Sequence, residues 1–146
     1  MENIEEFYSD IIMENSISTK NRRNLGNGAC SLLGHNPSCG DKISVSAIVD
    51  NGIIVDLAFD GTGCAISQSS TNIMIDLLKG KTTTQAKQLI STFLKMIKRE
   101  QLSKEELSSL KNARIFQGVA NMPTRAKCAT LAWHTLEDLL TNNNKK

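Results

Sequence analysis

Between residues 43 and 59 the chain adopts a period of two, and that period constrains everything around it. Ile43, Val45, Ala47 and Val49 alternate with Ser44, Ser46 and Ile48, the pattern of a strand that buries one face. Asp50-Asn51-Gly52 follows as a turn and residues 53–59 supply a second apolar run, which together predict a β-hairpin. An isolated hairpin is marginal in water, so its apolar face needs a cover, and the flanking segments are patterned to provide one.

Ile4, Phe7, Tyr8, Ile11 and Ile12 recur at helical spacing, predicting an amphipathic helix over residues 2–15. Residues 16–41, rich in Asn, Ser and Gly, read as a loop with a short strand near residues 25–33. Gly61-Thr62-Gly63 ends the hairpin. Residues 64–79 predict a helix closed by Gly80. Residues 84–99 predict another, with Ala86, Ile90 and Leu94 on one stripe and Leu89, Phe93 and Ile97 beside it. Ser103-Lys104-Glu105-Glu106 is a capping box that opens a short helix. Pro123 suits the first turn of the last one, whose apolar face is Ala126, Ala129, Trp133, Leu136 and Leu140. The order predicts an α+β fold in which a small antiparallel sheet is covered by helices on one face, as a single domain over residues 1–146.

Composition narrows the function classes. A 40% hydrophobic content suffices for one core, and aromatics at 4% leave that core to Ile, Leu, Ala and Met. The net charge is +2 and the basic residues are scattered, which argues against nucleic acid as the main partner. The N-terminus is acidic and amphipathic, unlike a secretory signal. No apolar run approaches the roughly 18 residues that span a bilayer, so a cytoplasmic chain with no membrane partner is expected. Four cysteines in a reducing compartment read as metal ligands or reactive thiols rather than disulfides.

The candidate ligands are Cys39, Asp41, Cys64 and Cys128. Gly40 lets the loop turn both Cys39 and Asp41 toward one ion. Cys64 lies at a helix start, where backbone N–H groups and the helix dipole favour a thiolate. Cys128 falls in the second turn of the last helix and approaches from another direction. Such a set suits tetrahedral Zn²⁺. Three thiolates and a carboxylate leave the site at formal −2, so Arg125 and Lys127, flanking Cys128, are candidates to balance it or to dock a partner. The carboxylate among thiolates points to an exchangeable site rather than a closed structural one. Cys30 reads as a loop thiol outside the set, His35 as a substitute ligand at most, and His134 as a surface residue.

The run NPSCGD, a hairpin, FDGTGCAISQSSTNIMIDLLKGK and then FQGVANMPTRAKCATLAWHTLEDLL resemble, in that order and over nearly the whole chain, the SufU branch of the IscU/NifU-type iron–sulfur assembly proteins. The resemblance implies an α+β fold with zinc at one end of the sheet, its ligands falling on Cys39, Asp41, Cys64 and Cys128. Lys127 stands where IscU-type proteins usually carry a histidine, and residues 101–117 look like the insertion of SufU-type chains. Asn21-Arg22-Arg23-Asn24 and the additional Cys30 depart from the family pattern.

The function so implied is zinc-dependent sulfur transfer for iron–sulfur cluster biogenesis, with the chain activating an enzyme rather than acting as a stand-alone one. A SufS-type, pyridoxal-phosphate-dependent cysteine desulfurase forms a persulfide, and a histidine of that partner takes a place on zinc. Cys39 is thereby released to accept the sulfur, while Asp41, Cys64 and Cys128 keep the metal. Beside Cys39, Arg125 is the second candidate catalytic residue, from its place near Cys128 in the sequence rather than from the resemblance, and downstream iron–sulfur assembly proteins are expected as further partners. The alternative is a scaffold that builds a [2Fe–2S] cluster on the same cysteines. Lys127 counts against it.

Overall fold

The computed structural model describes residues 2–37 and 40–144, with the side chains of residues 10–37 and 40–142. Its elements are α1 (Glu2–Ile17), β1 (Cys30–Asn36), β2 (Asp41–Asp50), β3 (Ile53–Thr62), α2 (Ala65–Leu78), α3 (Thr83–Ile97), α4 (Lys104–Ser109), a 3-10 helix (Lys111–Val119) and α5 (Pro123–Asn144).

The hairpin forms where the period of two places it. Asp50 pairs with Ile53, leaving Asn51 and Gly52 as a two-residue loop with φ of 54° and 76°. Two successive positive φ values are the type I′ geometry that matches the twist of the strands it joins. Ile43, Val45, Ala47, Leu57 and Phe59 form the buried face. Val55 is the extra residue of a bulge, since Ile48 pairs with Asp56 and Val49 with Ile54, and it is exposed.

The third strand lies further along the chain than the expected residues 25–33. Gly26 takes φ 76° and residues 26–29 close a turn, Ala29 N–H donating to Gly26 O at 3.4 Å, so extended pairing starts only at Cys30. From there β1 runs antiparallel to β2, and the order is β1-β2-β3. Cys30 is therefore a strand residue, half-buried against the core, rather than a loop thiol. Strand β3 continues through Gly61 to Thr62, past its expected end. Gly61 is required there: at φ +120° a Cβ would lie 2.0 Å from Lys42 O.

The cover is helical. Helix α5 packs on β1 and β2, and α2 packs on α1, α5, β3 and the 3-10 helix. Trp133 of α5 stacks on Phe93 of α3 with centroids 3.8 Å apart, and Phe116 meets Phe93 edge-on at 6.1 Å. The 3-10 helix was not legible as an element. It begins at Lys111 with φ 51° and buries Ala113, Ile115, Phe116 and Val119. Among the described residues no helix is long and apolar enough to cross a membrane.

Candidate metal centre

The end of the sheet away from the Asn51-Gly52 turn gathers three potential ligands. Asp41 opens β2 and pairs with Asn36, the last residue of β1. Gly40 before it takes φ 70°. Asp41 is fully buried. Its Oδ1 accepts the Cys64 N–H at 2.9 Å, whereas its buried Oδ2 has no hydrogen-bond partner among the described residues. A buried carboxylate oxygen left unpaired is costly.

Cys64 is the N-cap of α2, with φ −72° and ψ 171°. Its Sγ accepts the Ser67 N–H at 3.4 Å, so the first turn of the helix directs a donor and its dipole at the sulfur. The preceding Gly63 has no room for a side chain: a Cβ would sit 2.2 Å from Ser67 Oγ and 2.9 Å from Asp41 Oδ1. Arg22 and Gln68 fix this turn from outside. Arg22 Nη1 donates to Gly61 O at 2.7 Å, Gln68 Nε2 donates to Gly63 O at 2.7 Å, and Arg22 also donates to Gln68 Oε1.

Cys128, 3% exposed, enters from the second turn of α5. Asn36 Nδ2 donates toward its Sγ at 3.9 Å. The helix carrying it is tied to α2 by Ser70, whose Oγ donates to Ala129 O at 2.5 Å and accepts the Trp133 Nε1–H at 2.8 Å. Helix α5 also lies close on β1, since a Cβ at Gly34 would stand 2.1 Å from Thr135 Oγ1.

One ligand atom each from Asp41, Cys64 and Cys128 lie within 4.8 Å of one another. Thiolates on one zinc at about 2.3 Å stand about 3.8 Å apart at tetrahedral angles, so small side-chain rotations close this set on an ion. A buried carboxyl with one oxygen unsatisfied among the described residues, grouped with two cysteine sulfurs, is the donor chemistry a zinc-class cation takes, and the residues present fit one.

Cys39 lies outside the described residues. His35 is exposed on β1 and His134 is exposed on α5; neither belongs to the group of three. Arg125 is exposed, and its Nη1 donates to Met122 Sδ at 3.8 Å. Lys127 is exposed. Sequence reasoning missed Asn36, Ser70 and Gln68. Asn36 reads as part of a turn signal with Pro37. Ser70 and Gln68 sit in a polar run of α2, and helical spacing alone does not reveal that Ser67, Ser69, Ser70, Thr71 and Asn72 are all buried.

The comparisons agree with this architecture. The family model for the NifU-like N terminal domain matches residues 7–129. The zinc-dependent sulfurtransferase SufU of Bacillus subtilis is 34% identical over 92% of this chain and 90% of its own. The iron–sulfur cluster assembly scaffold protein IscU of Thermotoga maritima is 35% identical over 91% and 92%. A crystal structure of an iron–sulfur cluster assembly scaffold protein for the SUF system from Fervidobacterium islandicum superposes with a TM-score of 0.84 at 37% identity, covering 92% of this chain and 97% of that one. The N-terminal NifU-like protein of Brucella abortus shares the fold at a TM-score of 0.85 and 19% identity. On that extent of matching the chain belongs to the NifU-like N terminal domain family, with SufU and IscU proteins among its relatives.

Proposed function

We propose that the chain is a zinc-dependent sulfur acceptor that works with a SufS-type cysteine desulfurase in iron–sulfur cluster assembly. The observation that carries the reading is the buried Asp41 carboxyl, which comes within 4.8 Å of the Cys64 and Cys128 thiols and whose Oδ2 has no hydrogen-bond partner among the described residues. The Bacillus subtilis relative, a zinc-dependent sulfurtransferase by name, supports it. Asp41, Cys64 and Cys128 would hold the ion, with Cys39 as the fourth ligand. Cys39 is two peptide units from Asp41, a span of at most about 7 Å. When bound, zinc keeps its cysteine ligands deprotonated at neutral pH.

The residues divide the work. Cys64 and Cys128 sit on helices and each sulfur receives an N–H donor; they retain the site. Cys39 follows a turn signal and precedes a glycine, so it leaves with less backbone disturbance. Its thiolate attacks the outer sulfur of the desulfurase's persulfide. A new S–S bond forms, the donor's S–S bond breaks, and the donor departs as a thiolate without net oxidation. Arg125, exposed near the start of α5, offers a cation to the docked partner.

The test combines elemental analysis with turnover. One zinc per chain, stimulation of a SufS-type desulfurase by the zinc form, its loss in Cys39→Ser, and added sulfur on Cys39 by mass spectrometry are expected. A second reading, a scaffold carrying a [2Fe–2S] cluster as cargo, draws on the name of the Thermotoga relative. It prevails if the zinc form gives no stimulation while an iron-reconstituted form donates a cluster to an apo-acceptor.

A further inference from the structure

Asn36 is an amide in an unusual place. It closes β1, pairs with Asp41 across the strands, and is 7% exposed. Its side chain is directed at a sulfur, with Nδ2 3.9 Å from Cys128 Sγ. A thiolate accepts and cannot donate, so the amide nitrogen is the only end of Asn36 that can face it favourably. Each of the two thiols grouped with Asp41 thus has its own N–H donor of a different kind. Cys64 takes the backbone N–H of Ser67 at the start of α2, and Cys128, already in the second turn of α5, lies past the free N–H groups of its helix's first turn. A helix interior commits its N–H groups to the turn before, so a donor for Cys128 has to come from another element.

We infer that Asn36 is a positioning residue for the metal centre: its amide orients Cys128 Sγ and disperses the charge of that thiolate, setting how tightly the ion is held and keeping Cys128 a retained ligand rather than a sulfur acceptor. The inference rests on the metal-centre reading above. It is physically economical, because a neutral donor eases the formal −2 of three thiolates and a carboxylate without a buried cation. A hydrogen bond to a charged group is about twice as strong as a neutral one, and partners that orient metal ligands typically change affinity by about 10–100-fold.

The test is Asn36→Leu, which keeps the branched shape and removes the donor, with Asn36→Ala as the second variant should leucine fail to fold. In competition titration zinc affinity is expected to fall about 10–100-fold. In the cobalt(II)-substituted protein the thiolate-to-metal charge-transfer band is expected to move to lower energy, because a thiolate without its donor gives up an electron more easily. A lowered melting temperature with affinity within twofold of the parent and an unmoved band would mean that Asn36 only packs, and would overturn the inference. If the parent chain itself binds neither zinc nor cobalt, the metal-centre reading falls first and this inference with it, a failure distinct from one confined to the variants.

Discussion

The two ends of the sheet are finished in different ways. At the Asn51-Gly52 end the chain supplies its own partners. Thr83 N–H donates to Gly52 O at 2.9 Å, Ile54 N–H to Lys81 O at 2.9 Å and Gly80 N–H to Ile54 O at 2.8 Å. Thr82 and Gln85 close a capping box on α3, and Asp56 is held by Arg23 and Lys79. At the Asp41 end three elements converge, yet Asp41 Oδ2 is buried without a hydrogen-bond partner among the described residues. Polar groups are satisfied by the chain at one end, and one carboxyl oxygen is left unsatisfied among the described residues at the other. A binding site is where such a departure from local satisfaction is expected.

The largest effect should come from removing a thiolate. Cys64→Ser or Cys128→Ser is expected to weaken zinc binding by on the order of a hundredfold or more, since each ligand carries a sizeable share of a binding energy of about 10–16 kcal/mol. Asp41→Ala should follow with a smaller loss. Competition with a chromophoric chelator measures both. Unchanged affinity in all three variants would mean that the Asp41 end needs no ion, and the contrast between the ends would collapse.

Asp41→Asn sharpens the contrast by splitting two signs. The amide keeps an oxygen for the Cys64 N–H and replaces the unsatisfied Oδ2 by a neutral NH2 that can donate to sulfur. The metal-free protein should therefore gain about 1–3 kcal/mol, or a few degrees in Tm, while zinc affinity falls. Thermal unfolding under chelation, read beside the titration, checks the pair. A metal-free variant less stable than the parent would show that Asp41 Oδ2 is already satisfied.

How far the sequence reveals each end follows from the same contrast. The turn end was legible because its signals are local: Asp50-Asn51-Gly52, Gly80 and the alternation of residues 43–49 each act within a few positions. At the other end the ligand types were legible in Cys64 and Cys128, but their approach to Asp41 within 4.8 Å depends on long-range packing. Strand β1 was misplaced because its inward positions, Cys30, Leu32, Gly34 and Asn36, carry no regular apolar alternation. Gly34 is there to admit Thr135, and Asn36 to meet Cys128, reasons visible only once α5 is in place. The buried hydroxyls of α2 were hidden likewise: Thr71 Oγ1 donates to Ser67 O at 2.7 Å and Ser70 spans to α5, which lets a polar run occupy a core.

Acid should loosen the turn end through Asp56. The Arg23 guanidinium, bonded to it at 2.5 and 3.1 Å, holds this carboxyl well below the usual carboxylate range, with smaller help from Lys79 and the Leu57 N–H. A folded-state pKa below the unfolded value, about 3.9 for Asp, means the stabilisation is fully present above that value and is lost as pH falls below it. Because Arg23 is 38% exposed, solvent screening reduces the contribution to about 1–2 kcal/mol. Asp56→Asn should lower stability by that amount at pH 7 and by progressively less below about pH 4. Denaturant unfolding of both proteins across pH tests this, and a difference that does not depend on pH would show that the ion pair is not its source.

The smallest effect should come from the cap of α3, and it tests whether the two ends are independent. Thr82 Oγ1 accepts the Gln85 N–H at 3.0 Å, and Gln85 Oε1 accepts the Thr82 N–H at 3.0 Å. Thr82→Ala removes the first of these bonds, and the exposed Gln85 lets water take up its amide. The cost should be about 1 kcal/mol, some 3 °C in Tm for a chain of this size. Strand β3 separates this cap from Cys64 by ten residues, about 30 Å of extended chain. At that distance, without shared partners, effects add. Thr82→Ala should leave zinc affinity unchanged, and in the metal-free protein its loss should subtract in full from the gain of Asp41→Asn. A change in affinity, or a double variant that departs from the sum by more than about 0.5 kcal/mol, would show that the self-sufficient end helps to hold the site.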